Sequence, residues 1–156
     1  MSYYIIIRGP AGVGKSEISK ILTKNLKASK ISIDSVMHKH KLDAIKEGHI
    51  SKQNFIQGNK IVIPKAVKLL KNNRIVIFDG CFYDRSQINY LIKNLKFPYT
   101  IFTMNATVDE CVNRDKKRST GGIGKKEVKT VYKLVSKNKI GTEIDTSNKT
   151  VKVVAK

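Results

Sequence analysis

The feature that most constrains this chain is a glycine-rich segment, residues 9–16, directly behind a predicted strand, residues 3–8, whose first five residues are apolar. Its glycines allow the backbone to turn tightly, and a segment with helical periodicity begins at Lys15. A strand, a glycine-rich turn and a helix N-terminus in this order form a phosphate-binding loop, or P-loop. The order therefore predicts a parallel α/β sheet that binds a phosphorylated nucleotide behind its first strand.

Residues 9–16 satisfy the pattern GxxxxGK[ST] at every position. Main-chain N–H groups of such a loop surround phosphate oxygens, the lysine reaches the β- and γ-phosphates, and the terminal hydroxyl lies on Mg²⁺. We therefore expect ATP and Mg²⁺ as ligands. The expected nucleotide-binding residues are Gly9, Pro10, Ala11, Gly12, Val13, Gly14, Lys15, Ser16 and Glu17.

Strand and helix patterns alternate along the rest of the chain. Strands are predicted over residues 3–8, 30–33, 74–78, 99–104 and 140–145, and helices over 15–27, from 84, over 107–118, around 128–135 and over 150–156. Strands separated by helices require right-handed crossovers and a mostly parallel sheet. The predicted fold class is α/β, a three-layer P-loop NTPase fold with a five-stranded parallel sheet, helices on both faces and a small lid, in a single domain over residues 1–156.

Residues 35–72 show an irregular helical pattern. Pro64 is expected to kink this helix or to mark its restart, and Asn72 and Asn73 suit a left-handed helix end.

The chain is strongly basic, with 31 Lys and Arg against 12 Asp and Glu and a net charge of +19. This excess favours anionic partners, nucleic acid included. Lysine accounts for 26 of the 31 basic residues and is spread over every predicted helix, without an aromatic stacking platform. A nucleic-acid partner and a general surface bias both stay open.

The apolar runs, cysteines and histidines of the sequence predict the location of the protein and its lack of a histidine metal site. No apolar run is long enough for a membrane span or a signal peptide, so we expect a cytoplasmic protein without a membrane partner. Cys81 and Cys111 form no CxxC pair and are expected to be reduced. His38, His40 and His49 lack the further ligands that a metal site requires.

Asp79 follows the apolar run at residues 74–78 and precedes Gly80. A carboxylate at the carboxyl end of a strand beside the P-loop strand can hold Mg²⁺, which predicts a metal role for Ser16 and Asp79 together. An Asp-Gly dipeptide is also common in plain strand-end turns.

The complete P-loop, Asp34 after the second strand, Asp79, and an arginine pair before a glycine-bearing segment resemble the small P-loop phosphotransferases. This group includes the adenylate, shikimate and gluconate kinases, with the zeta toxin and chloramphenicol phosphotransferase type the most similar. The resemblance implies that Asp34 contacts the acceptor hydroxyl and acts as its base. As Asp34 also precedes a predicted helix, a helix cap is the alternative.

The arginine pair is Arg114 and Arg118, whose spacing places both on one helix face. The resemblance implies a lid over residues 107–126 on which both arginines are catalytic, Arg114 also binding the nucleotide. Gly121, Gly122 and Gly124 would supply its hinge. A charged, solvated helix is the alternative.

Two weaker correspondences concern substrate contacts. Related kinases often direct an arginine toward the acceptor at the place that Arg85 occupies, although Arg85 also suits the surface of a helix that starts at Asp84. Residues 145–148 fall where the family has a base-contacting loop. The resemblance also implies that residues 35–58 form the acceptor-binding region, and their sequence identifies no acceptor.

These observations predict a kinase that moves the γ-phosphate of ATP to a hydroxyl or phosphate group of a small metabolite or nucleotide. Transfer to a polynucleotide end is one alternative, and a regulatory ATPase without a small acceptor is another. A GTPase is disfavoured, since Asp79 is followed directly by Gly80 and residues 148–151 do not form an NKxD motif.

Overall fold

Seven strands and seven helices follow one another in the computed structural model, which describes residues 1–156. The strands are β1 (Tyr4–Arg8), β2 (Ser29–Ser32), β3 (Ile45–Lys46), β4 (His49–Ile50), β5 (Val76–Asp79), β6 (Tyr99–Asn105) and β7 (Thr142–Asp145). The helices are α1 (Lys15–Asn25), α2 (Ile33–Lys39), α3 (Lys52–Lys71), α4 (Arg85–Leu95), α5 (Val108–Lys116), α6 (Lys125–Ser136) and α7 (Val151–Val154).

Five strands form one parallel sheet in the order β2-β5-β1-β6-β7, as the alternating pattern predicts. β1 is central and buried along its whole length, which explains its unbroken apolar run. Ile7 of β1 and Ser32 of β2 both pair with Asp79 of β5. The segments that follow these three strands therefore meet at one edge of the sheet.

Helices cover both faces of the sheet. Alternate residues of β1 supply one core layer on each side, with Tyr4 and Ile6 on one face and Ile5 and Ile7 on the other. The first layer packs against buried residues of α3 and α4, and the second against α1 and α5. The predicted three-layer arrangement is confirmed.

The helical prediction for residues 35–72 is wrong in its middle part. Helix α2 ends at Lys39, and β3 and β4 form an antiparallel hairpin before α3 begins. Glu47 and Gly48 connect its strands with φ of 54° and 82°. Positive φ at both central residues is the requirement of a type I′ hairpin turn, whose usual sequences carry Asn or Asp before glycine.

The predicted restart at Pro64 is wrong, because α3 runs through it without interruption, while a kink there stays a prediction. Pro64 is exposed, and so is Lys60, whose carbonyl loses its helical hydrogen bond to the proline. Buried residues on both sides of Pro64, among them Val62 and Ala66, hold the helix against the sheet.

Several local predictions are confirmed. Asp84 caps α4 by accepting from the N–H groups of Ser86 and Gln87, and Thr107 forms a capping box with Glu110 at the start of α5. Asn73 adopts a φ of 55° after α3. None of the helices is long and apolar enough to span a membrane.

Candidate nucleotide and acceptor site

The P-loop connects β1 to α1 at the carboxyl edge of the sheet. Gly14 caps α1 with a φ of 97° and no side-chain hydrogen bond, and a Cβ added there would meet no atom within 4 Å. Gly12 has a φ of 82°, and its Cβ would come within 2.2 Å of the carbonyl oxygen of Cys111. The loop is thus packed closely at its base and open where the helix N-terminus can receive a phosphate.

Lys15 is almost fully buried, with 6% of its surface exposed. Its Nζ donates to the carbonyl oxygen of Pro10 at 2.8 Å and lies 3.6 Å from Sγ of Cys81. The ammonium group is therefore held at the P-loop itself.

A cleft of ≈ 860 Å³ opens above the P-loop. Ser16 and Glu17 are exposed in it, and Arg114 and Arg118 contribute to its wall. The P-loop residues that line this cleft are Gly12, Val13, Gly14, Lys15, Ser16 and Glu17. Gly9 and Pro10 are buried in the loop, and Ala11 lines a second cleft instead.

Asp79 is 2% exposed at the end of β5. Its Oδ2 accepts from Oγ of Ser19 at 2.9 Å and lies 3.1 Å from Nζ of Lys30, whereas its Oδ1 is buried without a partner. An unpartnered carboxylate oxygen fits a hard cation, and Mg²⁺ requires few protein ligands because phosphates and water complete its shell. Ser16 and Asp79 would hold such an ion.

A second, smaller cleft of ≈ 230 Å³ includes Ala11, on the P-loop, and Asp34 among the residues that line it. Asp34 occupies the first turn of α2, and the N-cap is Ser32, whose Oγ accepts from the N–H of Ser35. The alternative of Asp34 as the helix cap is therefore wrong. Hairpin residues Ile45, Gly48, His49 and Ile50 line the same cleft, together with Asp43, Cys81, Tyr83, Ile123 and Val131.

The Asp34 side chain is accessible to solvent, yet protein surrounds the concave surface on which it lies. Desolvation by these surroundings raises the pKa of Asp34, and Asp79 raises it further, while Lys15 and Arg118 oppose the shift. Desolvation likewise raises the pKa of the Cys81 thiol. A carboxylate whose pKa lies above its usual range is a stronger base once ionised.

The two arginines of the predicted lid differ in their contacts. Arg114 donates to the main-chain oxygens of Val13 and Thr146 and pairs with Glu110, so it ties the P-loop to the segment behind β7. The Arg118 side chain is 43% exposed and its Nε lies 3.9 Å from Oδ1 of Asp115. Arg118 thus has the freer guanidinium group of the two.

The family model described as "AAA domain" matches residues 5–131. The chain belongs to this AAA domain family. The family match, the P-loop and the parallel sheet agree with the predicted resemblance to small P-loop kinases. No curated protein matches the sequence significantly.

Solved structures share the fold at low sequence identity. A sugar kinase from Janibacter sp. HTCC2649 superposes with a TM-score of 0.81 at 9% identity, over 99% of this chain and 91% of that one. The APS kinase of Mycobacterium tuberculosis, in complex with AMPPNP and APS, gives a TM-score of 0.74 at 12% identity, over 99% and 93%. A chain of the Pnkp1/Rnl/Hen1 RNA repair complex gives 0.70 at 19% identity, over 87% of this chain and 44% of that one.

The structure does not bring Arg85 to either cleft. Its Nη2 donates to the carbonyl oxygen of Lys139 at 3.2 Å, and the residue is exposed at the start of α4. The chain thus adopts the surface position that was the alternative for Arg85, and a contact of Arg85 with the acceptor stays a prediction.

Sequence patterns miss several residues of the site. Lys30, which pairs with Asp79 and donates to the carbonyl oxygen of Ser16, carries no motif beyond its place in the second strand. Thr146, by contrast, belongs to the segment 145–148 that the resemblance indicates: it lines the larger cleft, donates to the carbonyl oxygen of Asn105 and accepts from Arg114. The hairpin side of the second cleft has one local signal, the Glu47-Gly48 dipeptide between two short segments that each carry one isoleucine, Ile45 and Ile50.

Proposed function

We propose that the protein is an ATP-dependent phosphotransferase that phosphorylates a hydroxyl group of a small molecule. The observation that carries this proposal is the position of the P-loop: its later residues line the larger cleft, and Ala11 lines a second cleft that contains Asp34. Donor phosphate and acceptor hydroxyl can thus approach each other from two sides of one loop. Positioning of this kind accounts for most of the catalysis in phosphoryl transfer.

In this proposal, specific residues stabilise the charge of the transferring phosphoryl group and accept the proton of the acceptor hydroxyl. Lys15 and Arg118 would stabilise the negative charge on the transferring phosphoryl group, with Arg114 holding the nucleotide side of the cleft in place. Asp34 would accept the hydroxyl proton as the acceptor oxygen bonds to the γ-phosphorus, while the bond from that phosphorus to the bridging oxygen breaks and ADP leaves. Mg²⁺ on Ser16 and Asp79 would screen the phosphate charges.

Transfer to a polynucleotide end is the second candidate, favoured by the net charge of +19. A regulatory ATPase has no need of a second cleft beside its P-loop. The small volume of that cleft, ≈ 230 Å³, supports a compact acceptor in preference to both.

Substitution Lys15→Ala tests the proposal. We expect it to lower phosphoryl transfer at least about 100-fold, since it removes the cation beside the phosphates, and to leave the circular dichroism spectrum unchanged. Lys20→Ala, at an exposed position of α1, is the matched control and should transfer at the native rate. Turnover of ATP with a panel of hydroxyl compounds, with products identified by mass, gives the measurement. Undiminished transfer by Lys15→Ala would refute the assignment.

A further inference from the structure

The second cleft has no Lys or Arg side chain in its lining, in a chain of which 31 residues are Lys or Arg, and His49 contributes its one imidazole. Seven of its eleven lining residues are hydrophobic, and the charged ones are Asp34 and Asp43. Kinases that phosphorylate anionic acceptors need cations around the acceptor's own charge. The charged residues of this lining are negative instead.

Apolar side chains at the cleft are partly exposed to water. Ile45 on the hairpin and Ile123 before α6 are 49% and 38% exposed, and they are two of the five large hydrophobic residues exposed in the molecule. Both line this cleft, one from the hairpin and one from the segment between α5 and α6. An acceptor with an apolar body would remove both from water.

The carboxylates set the charge preference. Asp43 pairs with no Lys or Arg, and its one partner is Nδ1 of His38 at 2.6 Å, on a side chain that is 84% exposed to water. Lys15 and Arg118 lower the pKa of Asp34, but both also line the larger cleft above the P-loop, where they would face the phosphates of the nucleotide. An anionic group in the acceptor cleft would meet two carboxylates, whereas an ammonium group would find a partner.

We infer that the phosphoryl acceptor is a small alcohol with a mostly apolar body that is uncharged or cationic, as distinct from a phosphorylated or carboxylated compound. This inference rests on the proposed kinase function. The acceptor hydroxyl bonds to the γ-phosphorus, its proton passes to Asp34, and ADP carries away the electrons of the broken bond.

Three para-substituted benzyl alcohols test the charge preference, carrying a hydroxymethyl, an aminomethyl or a carboxylate group. Transfer from ATP is followed by phosphorus NMR, and kcat/KM for the first two compounds should exceed that for the carboxylate at least about tenfold. In Asp43→Lys the ratio should shrink or invert, and in Asp43→Asn it should fall to an intermediate value. Asp109→Lys, at an exposed position on α5, should keep the native ratio.

Preference for the carboxylate, or a ratio that Asp43→Lys leaves unchanged, overturns the inference. Failure of all three alcohols to accept phosphate while calorimetry shows intact ATP binding also counts against it. Loss of ATP binding in the native chain would instead refute the proposed kinase function, so the two failures are distinguishable.

Discussion

Asp34 combines solvent access with an unfavourable environment for its charge. The protein around it raises its pKa, with Asp79 adding to the shift and the cations Lys15 and Arg118 opposing it. A carboxylate in such a place destabilises the folded protein when ionised, and the cost is accepted where the group does chemistry. The opposite pattern holds at Asp145, whose pKa is lowered mainly by the N–H of Ser147.

Asp34→Asn should therefore separate activity from stability. We expect kcat to fall roughly 100-fold or more, since general-base catalysis is lost, with little change in ATP affinity. The melting temperature near neutral pH should rise, because the folded protein no longer carries a destabilised charge. Turnover, ATP calorimetry and thermal unfolding measure the three effects, and Asp109→Asn should leave turnover unchanged.

The gain in stability of Asp34→Asn should depend on pH. The pKa of Asp34 is higher in the folded than in the unfolded chain. The folded protein therefore loses stability as the pH rises from the unfolded-state pKa to the folded-state pKa of this group. The stability advantage of Asp34→Asn should consequently be full above the folded pKa and vanish below the unfolded one. An advantage that persists undiminished in acid would show that it does not arise from ionisation.

At the scale of elements, the segment between α5 and α6 connects the two clefts. Lys117, Arg118, Ser119 and Thr120 line the nucleotide cleft, while Ile123 lines the acceptor cleft. Asp115 is 2% exposed and accepts from the N–H groups of Ile123 and Gly124. Residues 117–124 are therefore anchored to α5 and contribute to the walls of both clefts, which is the arrangement expected of a lid.

Arg118→Ala tests the lid. We expect kcat to fall about 10²–10³-fold, since a donor to the developing phosphoryl charge is lost, while the melting temperature changes little because Arg118 is exposed. Lys116→Ala removes a neighbouring exposed charge that lines neither cleft and should keep native kinetics. Equal losses in both variants would point to a general charge effect and exclude a specific role for Arg118.

Sequence alone predicts the sheet, the P-loop and the helix caps, because each depends on a local pattern: the apolar run of β1, the spacing of glycines, the Thr107 and Glu110 pair. It fails where nonlocal packing decides. The hairpin is stabilised by Tyr83, whose hydroxyl accepts from the N–H of Ile50. No pattern within residues 40–51 predicts a contact with this distant residue. Arg85 donates to the carbonyl oxygen of Lys139, which is 54 residues away in the sequence.

At the scale of the whole molecule, the net charge of the chain and the charge of the proposed acceptor cleft have opposite signs. The chain carries a net charge of +19, yet the proposed acceptor cleft is lined by two carboxylates and no Lys or Arg. Steering of anions by the whole surface therefore need not reflect the chemistry of the acceptor. Nucleic acid can bind such a surface without being a substrate.

Salt dependence separates surface binding from catalysis. A fluorescent RNA with a free 5′-hydroxyl end should bind at low salt, and its affinity, measured by anisotropy, should fall by orders of magnitude between about 50 and 200 mM salt as counterion release weakens. The RNA should not be phosphorylated at either concentration. Transfer to a para-hydroxymethyl benzyl alcohol at saturating ATP should change little over the same range, since that acceptor is uncharged. Phosphorylation of the RNA end with the same salt slope as its binding would instead establish the polynucleotide as the acceptor.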